Sequence, residues 1–132
     1  MPQVLEQFGL KAAIDETCRQ LSLGVDFTYE FSRLDRMLDR YIELAIYRIV
    51  QELMLNVVKH SQATRAVTEI KIDPSRISIS VSDNGIGMQK DEISRKGIGL
   101  ASIKSRVKLL NGEVKIDSET GRGTLVSVNI PI

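Results

Sequence analysis

The sequence predicts an α+β fold, a two-layer α/β sandwich whose sheet is mixed and mostly antiparallel, with helices on one face. Three features point to it. Apolar residues recur at helical spacing in three segments and alternate with polar residues in five. The segments run helix, strand, helix, two strands, helix, two strands, and the paired strands are close enough in sequence to form hairpins. The 132 residues make one domain, 1–132, without repeats, low-complexity tracts or a Pro/Gly/Ser-rich linker.

Pro2 suits the first position of a helix. Leu10, Ala13, Ile14, Cys18 and Leu21 then keep helical spacing and predict a helix over about residues 9–22. Val25, Phe27, Tyr29 and Phe31 alternate as in a strand, and residues 32–40 are charged and irregular. A long helix is expected over about residues 41–60, ending near His60-Ser61. Strands over 65–73 and 76–83 flank Asp73-Pro74-Ser75, where Pro fixes φ and Asp and Ser can bond nearby backbone. A glycine-rich segment covers 83–99. Leu100, Ile103, Val107 and Leu110 mark another helix, which Asn111-Gly112 ends because both tolerate the left-handed conformation. Strands over about 113–117 and 123–130 close the chain.

Composition excludes several classes. Apolar content of 42%, charged content of 27% and a net charge of +1 fit a globular protein with no bulk attraction to nucleic acid or membrane. One cysteine, Cys18, cannot form an internal disulfide, and one histidine, His60, cannot build a histidine-rich metal site. Cys18 falls in an amphipathic stretch and reads as a small, partly buried helix residue. No apolar run approaches a membrane span and no signal peptide is present, so a cytoplasmic setting is expected.

Three features carry chemistry. On the long helix, Arg48, Glu52, Asn56 and Lys59 fall within roughly ±40° of one line at 100° per residue, and Ile42, Ile46, Ile49, Val50, Leu53, Met54, Val57 and Val58 fill a broad arc elsewhere. Taken alone, the stripe also reads as the solvated side of an amphipathic helix. Second, Ile77, Ile79 and Val81 define the buried face of a strand, and Asp83 continues their parity. Either the strand delivers a carboxylate to the core side, where it needs a partner, or it ends one residue early and Asp83 starts a turn. Third, Gly85-Ile86-Gly87 and Gly97-Ile98-Gly99-Leu100 permit close backbone approach to a ligand, and the second segment opens a helix whose free N–H groups suit phosphate. Neither completes a dinucleotide fingerprint, and there is no P-loop.

In combination these features are specific. Glu52-x-x-x-Asn56, Asp83-x-Gly85-x-Gly87, Gly97-x-Gly99-Leu100 and Gly121-x-Gly123-Thr124 resemble the N-box and glycine boxes of the Bergerat (GHKL) ATP-binding fold, shared by DNA gyrase, histidine kinases and mismatch-repair ATPases. Tyr47-Arg48-Ile49-Val50-Gln51-Glu52 with Asn56 and Lys59-His60 is similar to the N-box of histidine kinases that partner NarL-type response regulators, and residues 97–107 resemble that subfamily's post-lid helix. The likeness covers essentially the whole chain, Phe8-Gly9-Leu10 included.

The resemblance implies roles. Asp83 would accept a hydrogen bond from the adenine amino group, with Thr124 beside adenine and its ordered water. Asn56 would be the Mg²⁺ ligand, an amide oxygen suiting a hard cation that keeps waters and phosphate oxygens. Glu52 would orient or deprotonate the attacking group, and Lys59 would be the phosphate cation. Gly85, Gly87, Gly97, Gly99 and Leu100 would complete the ATP site, Gly97 and Gly99 letting the lid backbone wrap the triphosphate.

Two departures matter. Only residues 88–96 separate the two glycine boxes, without the phenylalanine-bearing box of longer lids, which agrees with the NarL-partner subfamily. And the family's phosphoacceptor histidine lies on a dimerising helical hairpin before the ATP domain. The single histidine here, His60, belongs to the N-box helix, about 80° around it from Glu52, where it suits the C-terminal dipole. The resemblance thus implies the catalytic ATP-binding domain of a longer sensor histidine kinase, a homodimer whose full length can carry a membrane anchor, with the dimerisation/phosphoacceptor domain absent here. It would use ATP and Mg²⁺, pass phosphate to a histidine and then to a response regulator, and bind no nucleic acid directly. An anti-sigma-factor-type serine kinase and a non-catalytic nucleotide-binding module share the fold and stand as alternatives.

Overall fold

The structure, a computed structural model, describes residues 3–22, 24–33, 38–87 and 100–132, without the side chains of His60 and Ser61. Pro2, Gly97, Gly99 and the 88–96 segment, all singled out in the sequence, lie outside the described residues.

The chain opens with two helices, α1 (Gln3–Phe8) and α2 (Leu10–Leu21). The first was not expected. Gly9 separates them at φ 88, a left-handed value that a glycine adopts without strain. Leu5 of α1 is buried, and the Gly9 N–H still donates to the Leu5 carbonyl at 3.1 Å. On α2, Leu10, Ala13, Ile14 and Cys18 face inward as their spacing predicts. Thr17 is buried beside them; its hydroxyl donates to the Ala13 carbonyl at 3.1 Å and lies 3.3 Å from the Tyr47 hydroxyl, tying α2 to α3. Burial pushes the Cys18 thiol up, as for an inert core cysteine.

After β1 (Asp26–Arg33) comes the long helix α3 (Arg40–Asn56). Asp39 caps it, its carboxylate accepting from the Tyr41 N–H at 2.7 Å. The helix does not run on to residue 60 in α form. Residues Val57–Ser61 make a π-helical turn, and Gln62, at φ 55, turns the chain away. Wider i→i+5 turns recur at functional sites because they re-aim the side chains that follow. Lys59 sits in this turn and is exposed, so the uniform 100° count that placed it in line with Glu52 and Asn56 does not hold past Asn56.

β2 (Arg65–Ile72) and β3 (Arg76–Asp83) form the expected hairpin. Asp73 accepts from the Ser75 N–H at 2.9 Å, the Arg76 N–H at 2.8 Å and the Ser75 hydroxyl at 3.0 Å. Those bonds, the Ser75 N–H first, hold its carboxyl below the usual carboxylate range. Helix α4 (Leu100–Leu109) ends at Asn111, φ 61, where the Gly112 N–H reaches back to the Val107 carbonyl at 2.9 Å. β4 (Glu113–Glu119) and β5 (Gly123–Pro131) pair antiparallel.

The five strands form one sheet in the order β1-β2-β3-β5-β4. Only β1–β2 is parallel among the four pairings, so the expected mixed, mostly antiparallel sheet is observed. Burial alternates along the strands, with Ile70, Ile72, Ile77, Ile79, Val128 and Ile130 turned inward against the helices. Glu69, Lys71 and Asn129 lie exposed on the other face. Helix α3 packs on α2, α4 and β3, and buries Ile46, Ile49, Leu53 and Met54 almost completely. Each such side chain contributes about 1.5–3 kcal/mol of hydrophobic stabilisation, which fixes α3 over the sheet and sets the direction of its remaining polar residues.

Candidate functional site

The strand registers create one unusual row at the end of the sheet. Ala66 faces Asp83, Asp83 faces Thr124, and Thr124 faces Ser118. The next row in is Thr68, Val81, Val126 and Ile116, and the one beyond it is wholly apolar: Ile70, Ile79, Val128 and Val114. The inner face of the sheet thus changes from hydrocarbon to oxygen within two rows.

Asp83 resolves both alternatives left open by its sequence. It is the last residue of β3, paired in register with its neighbours, and its Oδ1 also accepts from the Gly85 N–H at 2.8 Å, starting a turn. Burial raises its carboxyl above the usual carboxylate range, opposed by hydrogen bonds from the Gly85 and Thr124 backbone. Thr124 is 8% exposed, with its hydroxyl 2.8 Å from that of Ser118. Ser118 was missed in the sequence, although it continues the parity of Val114 and Ile116.

Asn84 is a clamp. Its Oδ1 accepts from the Thr64 and Arg65 N–H groups at 2.9 and 3.0 Å, and its Nδ2 donates to the Thr64 hydroxyl at 2.9 Å. The end of β3 is thereby bound to the start of β2. Beyond it, Gly85 is buried, and the Gly121 N–H donates to the Ile86 carbonyl at 2.6 Å. Gly87 has φ +74, and a Cβ there would stand 2.0 Å from the Glu119 carbonyl oxygen. Gly123, at φ +90, would put a Cβ 2.0 Å from the Asp83 carbonyl oxygen. These two glycines are required by backbone packing between the β3 exit and the β4–β5 turn, whatever else they do.

On α3 the stripe is not a plain solvated face. Glu52 and Asn56, one turn apart, are only half exposed or less. Glu52 Oε1 accepts from Arg106 Nε of α4 at 3.1 Å. Its Oε2 is buried with no hydrogen-bond partner among the described residues, and so is Nδ2 of Asn56. Unpaired buried polar atoms cost about 1–3 kcal/mol each, and two on one stripe are what a bound polar group would satisfy. The Thr68 hydroxyl is a third such atom, in the second row of the sheet. Arg106 falls in the segment that resembles the post-lid helix, but its pairing with Glu52, 54 residues away, gave no sequence signal.

Among the described residues no cluster of three His, Cys, Asp or Glu could hold a metal. A cation here would rely on one or two protein oxygens and take the rest from phosphate and water, which is how Mg²⁺ binds. The Asn56 amide supplies a hard oxygen of that kind beside a buried nitrogen that has no partner among the described residues. The donor set therefore fits Mg²⁺ carried by a polyphosphate. Leu100, buried at 2% exposure, anchors the first turn of α4. Gly97 and Gly99, just before it, are outside the described residues, as is the direction of the His60 ring.

Residues 41–132 match the family described as "Histidine kinase-, DNA gyrase B-, and HSP90-like ATPase". The chain is 33% identical to the oxygen sensor histidine kinase NreB of Staphylococcus carnosus, with 99% of this chain and 39% of that protein aligned. It is 31% identical to the sensor histidine kinase LiaS of Bacillus subtilis, with 99% and 36% aligned. It thus spans well under half the length of these relatives. Among solved structures, the blue-light activated histidine kinase of Erythrobacter litoralis superposes with a TM-score of 0.70 at 19% identity, over 93% of this chain and 40% of that one. The histidine kinase AdeS of Acinetobacter baumannii gives 0.69 at 16%, over 97% and 72%. At these identities the likeness is one of fold.

Proposed function

This chain belongs to the histidine kinase-, DNA gyrase B- and HSP90-like ATPases, and on that footing we propose that it binds Mg·ATP and donates the γ-phosphoryl group to a histidine on a helical dimerisation domain of the same protein, for relay to a NarL-type response regulator. The observation that carries the proposal is the pairing of an oxygen-rich row, Asp83, Thr124 and Ser118, with a helix stripe whose Glu52 and Asn56 hold unpartnered buried atoms. Residues 1–132 act as one catalytic unit within a homodimeric sensor kinase, the domain itself in the cytoplasm. Among the described residues, no helix is long and apolar enough to cross a membrane.

In this proposal Asp83 and Thr124 receive the adenine edge. Gly85 and Gly87 keep the β3 exit low enough for the base to approach. Asn56 is the protein ligand of Mg²⁺, which when bound neutralises phosphate charge. Lys59, exposed at the end of the helix, is the phosphate cation, and Gly97, Gly99 and Leu100 are assigned to the triphosphate. Glu52 orients or deprotonates the attacking imidazole. Such transfers depend mostly on positioning and on charge stabilisation.

The test is incubation with γ-labelled Mg·ATP, followed by acid and base treatment of any retained label. Alone, the chain should show no acid-labile, base-stable label, because its one histidine, His60, is no acceptor. With a dimerising helical hairpin supplied, label should appear on the hairpin histidine. Label on His60 at a kinase-like rate would contradict the proposal.

A further inference from the structure

Glu52 and Arg106 form an ion pair between α3 and α4, Oε1 to Nε at 3.1 Å, with side chains 25% and 38% exposed. Among the described residues the other short ion pairs, Arg19–Glu16 and Arg122–Glu119, join residues three apart on the surface and hold no elements together. The Glu52 pair is different because one carboxylate oxygen is held and the other is buried without a partner. A carboxylate gripped at one oxygen has a fixed plane, so the position of Oε2 is set by α4. It also sits one turn from Asn56, where a polyphosphate would bring several negative charges.

We propose that Arg106 is a positioning residue: it fixes the plane of the Glu52 carboxylate and offsets its charge, so that a polyphosphate can be bound beside it. This rests on the ATP-site assignment above. Arg106 acts through Glu52 and makes no contact with the phosphates itself. A guanidinium suits the role, being permanently charged and directional.

A double-mutant cycle on nucleotide affinity tests it. Calorimetric titration with Mg·ATP compares the native chain with Arg106→Met, Glu52→Gln and the double variant. Arg106→Met should weaken Mg·ATP about tenfold, within the range of couplings between contacting residues. In the Glu52→Gln background the same substitution should change affinity less than about twofold, because no charge is left to offset. Arg106→Lys should recover most of the native affinity. A purely structural role would show no such rescue by charge. Arg106→Gln replaces the Met variant should that fail to fold by thermal melting. A loss of equal size in both backgrounds would mean direct phosphate contact, and no loss in either would mean a bystander pair; both outcomes overturn the inference alone. A native chain that binds no Mg·ATP overturns the site assignment and the inference with it.

Discussion

Glu52→Gln is expected to slow phosphoryl transfer to a supplied histidine hairpin by about 10²–10⁴, while Mg·ATP binds no more weakly than to the native chain. The substitution keeps side-chain volume and leaves Oε1 able to accept from Arg106 Nε, so the contact between α3 and α4 survives. What changes is Oε2. In the native chain this atom is buried and without a partner, which suits a group whose partner arrives with the acceptor. An amide nitrogen in its place cannot take a proton from an imidazole. Single-turnover transfer from γ-labelled ATP, measured at saturating nucleotide, separates this loss from any change in binding. A native rate in the variant would remove Glu52 from the chemistry.

Asp83→Asn is expected to weaken ATP by roughly ten- to a hundredfold, through loss of a charge-assisted hydrogen bond worth about 1.5–3 kcal/mol. The same variant should be more stable than the native chain when no nucleotide is present. Burial raises the Asp83 pKa, so the native state holds this proton more tightly than the unfolded chain does. The stabilisation from that proton is present below the ordinary carboxylate range and is lost as pH rises through the raised value. At neutral pH the ionised carboxylate therefore opposes folding, and an asparagine, which cannot ionise, removes the opposition. Its Oδ1 can still accept from the Gly85 N–H, so the turn is retained. Thermal melting of the two proteins should give the higher midpoint to the variant at pH 7, with the difference shrinking as pH falls towards the acid range. A variant that melts lower at pH 7 and binds ATP normally would place Asp83 among structural residues.

The fold was largely legible because its signals are local. Alternation placed Ile77, Ile79, Val81 and Asp83 on one side of β3, and the register confirms that side. Asp73 and Asn111 announced their turns through their own chemistry. What escaped was either short or non-local. Helix α1, with six residues, is too brief to show a period, and its punctuation is limited to Pro2 before it and Gly9 after it. The π-turn at Val57–Ser61 leaves the apolar spacing of α3 intact and shows only in where Lys59 ends up. The stripe on α3 could not be told from a solvated face without α4, because burial of Glu52 and Asn56 is produced by packing. The clamp that Asn84 makes on Thr64 and Arg65 needs β2 beside it. The parity of β4 marks the side of Ser118 and the post-lid resemblance takes in Arg106, but their contacts with Thr124 and Glu52 are made between elements and leave no trace in either segment alone.

In the proposed function, the row at the end of β3 receives an adenine whose triphosphate reaches Asn56 with Mg²⁺. Paired calorimetric titrations of the native chain with ATP and GTP, each with and without Mg²⁺, test it most directly. Asp83 offers an acceptor where ATP presents an amine and GTP a carbonyl. GTP should bind at least about tenfold more weakly than ATP, as expected when a half-buried acceptor loses its donor, and withdrawing Mg²⁺ should weaken ATP. Equal affinity for the two nucleotides, or no heat with either, would contradict it.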